Sequence, residues 1–312
     1  MAEPLVVTLT VDAVATGVTL WQADSRRFEE RVVHGVLALA AFAAPDAGAR
    51  RAVRFDAVAA LLAGFGEDAA RPDAFVALGA GAGQPGVYAA AETGDALVAD
   101  GAALAHALGA RAGVPGYVVE PLGGADADGA RVCDAERALL VRAALRRDTA
   151  ERTTAAPIEP APRADVRSDA TAADAGAECI VVLAEPRPLV CACRGDVIVA
   201  ARAPACELPE SPDATYLLRR AEQGDAGAAE TLEACVAAIA RSVKVSAAGL
   251  ARVEAVLLTG SLAMHAAFAQ PLAAALRAFA PVRVRPGARV DRALADAVLA
   301  VLRGEEPVCH YG

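Results

Sequence analysis

Cys179-Ile180-Val181-Val182-Leu183-Ala184-Glu185-Pro186-Arg187-Pro188-Leu189-Val190-Cys191-Ala192-Cys193-Arg194-Gly195-Asp196-Val197-Ile198-Val199-Ala200-Ala201 is the stretch on which the fold turns. It holds three short apolar runs, 179–184, 189–193 and 197–201, separated by Glu185–Pro188 and by Arg194-Gly195-Asp196. Runs this short, joined by Pro-rich and Gly-Asp turns, predict an antiparallel meander. Downstream the spacing predicts helices over 214–222 and 226–244, a strand at 255–258 and a helix over 262–279. A strand at 282–284 and a last helix over 291–302 follow.

The same order opens the chain. Runs at 5–11, 16–22 and 28–33 are separated by 12–15 and by Ala23-Asp24-Ser25. A helix over 51–64, a strand at 74–78 running into the glycine-rich stretch 79–86, a helix over 101–112, a strand at 116–119 and a helix over 134–147 come next. Between the two series, 148–177 is rich in Ala, Pro, Asp, Thr and Arg without apolar periodicity and reads as a polar connector. The expected organisation is therefore an N-terminal lobe at 1–148, a connector at 149–177 and a C-terminal lobe at 178–312. Two halves in the same order imply a duplicated α/β fold with mixed sheets and flanking helices. A ligand would be expected in the cleft between such lobes.

Composition narrows the function classes. The chain has 312 residues, 55% of them hydrophobic and only 22% charged, which suits two cored domains and excludes disorder over most of the length. Aromatics make up 4%, too few for stacking platforms. Thirty Lys and Arg against thirty-nine Asp and Glu give a net charge of −9, which would repel phosphate backbones and anionic lipid. Nucleic acid and membrane are therefore not expected as partners. The longest unbroken apolar stretch, 35–44, is shorter than the roughly 20 residues that span a bilayer. The opening Met1-Ala2-Glu3-Pro4 has no basic segment ahead of an apolar core, so no signal peptide is expected. Seven cysteines, an odd number in a long chain, argue against a secreted disulfide framework and for a reducing cytoplasm.

The C-terminal third carries a family resemblance. Val253-Glu254-Ala255-Val256-Leu257-Leu258-Thr259-Gly260-Ser261-Leu262-Ala263 resembles the adenosine-side motif of butyrate kinases, in which a buried strand enters a Thr-Gly-Gly turn. Phe279-Ala280-Pro281-Val282-Arg283-Val284-Arg285-Pro286-Gly287, the ending Ala300-Val301-Leu302-Arg303-Gly304-Glu305-Glu306 and the Glu222-Gln223-Gly224-Asp225 step are similar to the same family. The in-register match covers roughly 215–312. The first two-thirds match in element order and in short pieces such as Phe28-Glu29-Glu30 and Gly113-Val114-Pro115. The resemblance implies the acetate/butyrate kinase branch of the actin-like ATPase superfamily, with two duplicated lobes. It also implies transfer of a phosphoryl group from ATP, with magnesium, to a short-chain carboxylate, and a tendency to form homodimers.

The same resemblance shows what has changed. Phosphoryl transfer needs donors around the phosphates, a cation near the transferring group and carboxylates for magnesium. Where the family's first phosphate loop carries Asn, Gly, Ser/Thr and Lys, this chain has Thr10-Val11-Asp12-Ala13-Val14-Ala15-Thr16-Gly17. Thr10 and Thr16 remain as cofactor-binding donors, and Asp12 would oppose a phosphate. The second phosphate loop, a His and three glycines in the family, becomes Leu183-Ala184-Glu185-Pro186-Arg187-Pro188. Its prolines remove backbone donors and Glu185 has the wrong sign, leaving Arg187 as a compensating cation. The family's catalytic Arg falls in Leu78-Gly79-Ala80-Gly81 and is lost; a family Asp corresponds to Glu120; a family His and Asn correspond to Asp134 and Arg137. The acidic turn after Pro-Gly retains Asp291, which also suits the N-cap of the last helix. Gly260 and Ser261 keep the adenosine-side turn in altered form.

Other constellations stay structural. Cys191 and Cys193 sit two apart on a strand, with Cys179 and Cys206 nearby in sequence, but zinc knuckles are absent and buried small hydrophobes are expected. Cys309-His310 reads as a frayed tail, and His34, His106 and His265 as half-buried side chains in apolar elements. Gly79-Ala80-Gly81-Ala82-Gly83 is not followed by a helix start, so it is no dinucleotide loop.

Three functional readings follow. The first is a butyrate-kinase-like protein that has lost phosphotransfer and acts as a binding, scaffold or regulatory protein, on a protein partner or on its own copy. It would need no cofactor. The second is an active acyl kinase using ATP and Mg2+, a phosphotransferase with a carboxyl acceptor. There Arg187, Arg137 and Glu120 would serve catalysis, and Asp12, Glu120 or Asp291 would hold the metal. The third is binding of a different small acid or an acyl-CoA.

Overall fold

The computed structural model describes residues 4–11, 15–22, 35–38, 47–64, 72–79, 86–90, 100–120, 133–154, 177–195, 197–206, 208–209, 213–287 and 289–310. Among them the chain forms, in order, β1 (Leu5–Val11), β2 (Ala15–Gln22), β3 (Gly35–Ala38), α1 (Ala47–Ala63), β4 (Ala74–Leu78) and β5 (Gly86–Ala89). Then come α2 (Asp100–Ala112), β6 (Gly116–Glu120), α3 (Ala135–Thr154), β7 (Glu178–Leu183), β8 (Leu189–Arg194), β9 (Val197–Arg202) and α4 (Asp213–Glu222). The series closes with α5 (Ala226–Ala247), β10 (Ala255–Gly260), α6 (Ala266–Leu276), β11 (Val282–Pro286) and α7 (Val290–Leu302).

The duplication is visible in strand order. One sheet runs β3-β2-β1-β4-β6-β5 and the other β11-β10-β7-β8-β9. Read from the meander edge, the second is β9-β8-β7-β10-β11 and matches the first five strands of its counterpart. In both, the meander strands pair antiparallel and the next two join parallel to the first strand. Strand β5, antiparallel to β6, is the addition in the first sheet. The expected strand at 28–33 lies outside the described residues, and the third meander strand is β3. The expected turn residue Asp12 and the glycine-rich 80–85 also lie outside them.

The contacts divide the chain into one unit of Met1–Leu122 with Arg289–Gly312 and another of Gly123–Ala288. These boundaries differ from 148 and 178 because the last helix of each repeat packs on the sheet of the other. In the first unit, Val7, Leu9, Val18, Leu20, Phe75, Ala77 and Val118 share a core with residues of α1 and α2. Alternation along the strands turns Thr19 and Trp21 to the opposite face. There they meet the start of α7, which packs on β1, β4 and β6. In the second unit Ile180, Val182, Val190, Val256 and Leu258 are buried under α4, α5 and α6, with Phe268, Leu272 and Ile239 fully enclosed. Helix α3 packs against β7 and β10.

Two elements differ from the periodicity. Helix α3 runs seven residues beyond 147, into the expected connector, because Asp148 is not solvated. It is 2% exposed and its carboxylate is bound by Arg283 of β11 at 2.5 Å. The expected helix over 262–279 is broken: a single 3-10 turn at Leu262–Met264 ends at His265, whose extended backbone precedes α6. The Gly224-Asp225 step is a helix boundary as read, with Gly224 at φ +88° and Asp225 capping α5 by accepting the Ala228 N–H at 2.9 Å.

Candidate functional site

The two segments that the resemblance assigns to nucleotide meet in the second unit. Strand β7 delivers Ala184 and Glu185 to its C-terminal end, and parallel strand β10 delivers Gly260 and Ser261 beside them. The carboxyl end of parallel strands is where open α/β sheets hold ligands. Gly260 adopts φ +107°, and a Cβ there would lie 2.5 Å from the Ala184 carbonyl oxygen, so only glycine permits the approach. Ala184 N–H donates to the Thr259 carbonyl at 2.7 Å, and Leu262 N–H donates to the Ala184 carbonyl at 2.9 Å.

Glu185 closes this arrangement. Its Oε1 accepts the Ser261 N–H at 2.7 Å and its Oε2 accepts the Ser261 hydroxyl at 2.5 Å. The donors that start the 3-10 turn are thereby used inside the protein. A carboxylate occupies the place at which a helix-start anion would be received. Two unit charges 4 Å apart near a protein surface oppose each other by about 4 kcal/mol, enough to weaken phosphate binding by roughly a thousandfold. Arg187, two residues on, is exposed on the same turn. Sequence reasoning identified Glu185 as a charge of the wrong sign; its bond to Ser261 joins positions 76 apart and has no local signal.

The remaining candidates belong to the first unit or to other pairings. Thr10 Oγ1 donates to the Gly17 carbonyl across the first hairpin at 3.4 Å, and Thr16 is fully buried. Glu120, at the end of β6, is 3% exposed, and its carboxyl fills the space above Gly79, where a Cβ would meet Oε1 at 2.3 Å. Asp134 caps α3 by accepting the Arg137 N–H at 2.9 Å and pairs with the Arg137 guanidinium at 3.3 Å, so these two neutralise each other.

Asp291 does not cap α7. The cap position is Arg289, with φ −133°, and Asp291 lies in the first turn. Its carboxylate is held by Arg289 Nε at 3.1 Å and Nη2 at 2.6 Å and accepts the Thr19 hydroxyl at 3.2 Å. The Arg289 guanidinium in turn stands 5.4 Å from the Trp21 ring centre. A carboxylate committed to a bidentate arginine is a poor magnesium ligand. Among the described residues no group of three or more His, Cys, Asp or Glu is placed to hold a metal. Arg289, two residues from Asp291, is the group that sequence reasoning passed over.

Elsewhere in the first unit, α1 and α2 enclose a pocket of about 330 Å3. Phe55, Ala52, Ala103, Leu104 and Ala107 line it, with Arg51, Arg54 and Asp56 among them. Phe55 also carries the Arg111 guanidinium 5.6 Å from its ring centre. No helix among the described residues is long and apolar enough to cross a membrane.

Comparison with known proteins places the fold. No family model matches the chain. Among solved structures, the chain is similar to acetate kinase from Porphyromonas gingivalis, at TM-score 0.62 and 10% identity over 96% of this chain and 100% of that one. A propionate kinase from Francisella tularensis subsp. tularensis SCHU S4 is similar at TM-score 0.57 and 10% identity, covering 95% and 99%. An ROK family glucokinase from Streptomyces griseus, solved in complex with glucose and AMPPNP, follows at TM-score 0.50 and 12% identity, covering 94% and 99%. The chain has the two-lobed actin-like kinase fold, in the form found in acetate and propionate kinases.

Proposed function

We propose that this kinase-fold protein is a non-catalytic relative of butyrate and acetate kinases, a pseudokinase that works by binding, as a scaffold or regulator. One observation carries the reading. The Glu185 carboxylate, 2.7 Å from Ser261 N and 2.5 Å from Ser261 Oγ, occupies the donors that the resemblance assigns to nucleotide. The replacement of both phosphate loops and of the family's catalytic Arg points the same way. A single loss can be compensated by a neighbouring group; here the surviving candidates Asp134, Arg137 and Asp291 are already paired with protein groups. The proposed partner is another protein or a second copy of this chain, and no ATP or Mg2+ is needed.

Isothermal titration of MgATP into the purified chain tests this. No saturable heat is expected at millimolar ATP, and Glu185→Ala is expected to gain measurable binding by releasing the Ser261 donors. Saturable micromolar binding by the unaltered chain overturns the reading. So does acyl hydroxamate trapped from ATP with butyrate or acetate.

A second reading rests on the pocket between α1 and α2. An apolar lining with two arginines against one carboxylate, Asp56, suits a small acid with an apolar tail. Saturable thermal stabilisation by short and medium-chain carboxylates, lost in Leu104→Trp, is the result that would favour it.

A further inference from the structure

Cys206 follows β9 in the segment leading to α4, and Cys235 lies in the third turn of α5. Their sulfur atoms are 2.9 Å apart, closer than unbonded sulfurs ordinarily pack. Movement of under about 1 Å separates this contact from the roughly 2.05 Å of a disulfide bond. The two residues are not symmetrical. Cys206 is half-buried, whereas Cys235 is enclosed in the core with Leu218, Leu232 and Ile239. The segment carrying Cys206 is turned locally and tied to the turn after β7. Cys206 N–H donates to the Pro204 carbonyl at 2.8 Å, and Leu208 N–H donates to the Pro186 carbonyl, in the turn that bears Glu185, at 3.0 Å.

We propose that Cys206 and Cys235 are a reversible dithiol–disulfide pair, a covalent modification site that ties the segment after β9 to α5. The oxidant is a low-molecular-weight disulfide of the glutathione class. Burial and the neighbouring Cys206 push the Cys235 thiol up, and Cys206 is the sulfur a small disulfide can reach, so the first attack falls to Cys206. The Cys206 thiolate attacks one sulfur of the small disulfide, forming a mixed disulfide and releasing one small thiol. The Cys235 sulfur loses its proton, displaces the second small thiol from Cys206 and completes the cross-link. Two protein thiols and one small disulfide become one protein disulfide and two small thiols: the protein loses two electrons and the small disulfide gains them. Excess reduced thiol runs the exchange backward.

The full chain, equilibrated with oxidised or reduced glutathione, alkylated with iodoacetamide and mapped by peptide mass spectrometry, tests the pair. In oxidised glutathione Cys206 and Cys235 are expected to vanish together from the alkylated peptides and reappear as one cross-linked species, two hydrogens lighter than the sum of its peptides. Reduced glutathione restores both. The melting temperature is expected to rise on oxidation by roughly 5 °C, with no rise in Cys206→Ser. Three results overturn the proposal: both cysteines alkylated at every ratio, Cys206 carrying glutathione without a cross-link, or a cross-link joining a different pair of cysteines instead. Because the peptide map is made on the unaltered chain, a variant that fails to fold leaves the test intact.

Discussion

Glu178 shows how one side chain organises the entry to the second sheet. Its carboxylate accepts the Arg252 N–H at 2.9 Å and the Arg194 Nε–H at 2.9 Å, which joins the start of β7 to the end of β8 and to the approach to β10. The Arg252 N–H first, and the Arg194 guanidinium after it, hold the carboxyl below the ordinary glutamate range. A depressed folded-state value means that the group's contribution is complete above the unfolded pKa and drains away as pH falls through the folded one. Glu178→Gln is therefore expected to lower the melting temperature near neutral pH and to flatten its decline below about pH 4.5. Melting curves across pH 3 to 7 measure both; parallel acid limbs for the two proteins would show that another carboxylate governs. Glu185 makes contacts of similar form a few residues on, but spends them on a turn in which the resemblance expects ligand.

At the scale of elements, most of the chain was readable because its strands and helices carry their own signals. The runs at 5–11 and 74–78 match β1 and β4 residue for residue, since short apolar runs bounded by turn-forming residue types carry their own strand signal. What local pattern cannot contain is a partner far away in sequence. Asp148 looks like the first residue of a polar connector, yet it is a helical residue because Arg283, 135 positions on, neutralises it. The Glu185–Ser261 and Thr19–Asp291 contacts were hidden for the same reason: the residue types were visible, but not which of them met. Removing the charge while keeping the shape tests the α3 anchor. Asp148→Asn is expected to cost about 2 kcal/mol and to speed amide exchange over 145–154 while leaving β7 protected. Unchanged exchange at the end of α3 would show that apolar packing alone holds it. For the candidate site, the resemblance marked which phosphate-loop positions carry other residues here. That Glu185 supplies an internal substitute required the fold.

On the scale of the whole molecule, the decisive feature is that each repeat gives its last helix to the other repeat's sheet. Leu294 and Val298 of α7 are fully buried in the unit that begins at Met1. A chain ended at Ala288 is expected to leave that unit unable to fold while Gly123–Ala288 stays protected. Limited proteolysis read by mass spectrometry would show early cleavage over 4–120 and late cleavage over 178–287; equal resistance of both regions would show that α7 is dispensable. The exchange also bears on the order in which the protein becomes whole. Gly123–Ala288 has every residue it needs while the chain is still emerging from the ribosome. The earlier-made strands β1 to β6 must wait until α7 has been made before their second face is covered. Until then Trp21 and its neighbours form an open sheet face in a nascent chain, the period in which chaperone protection matters most.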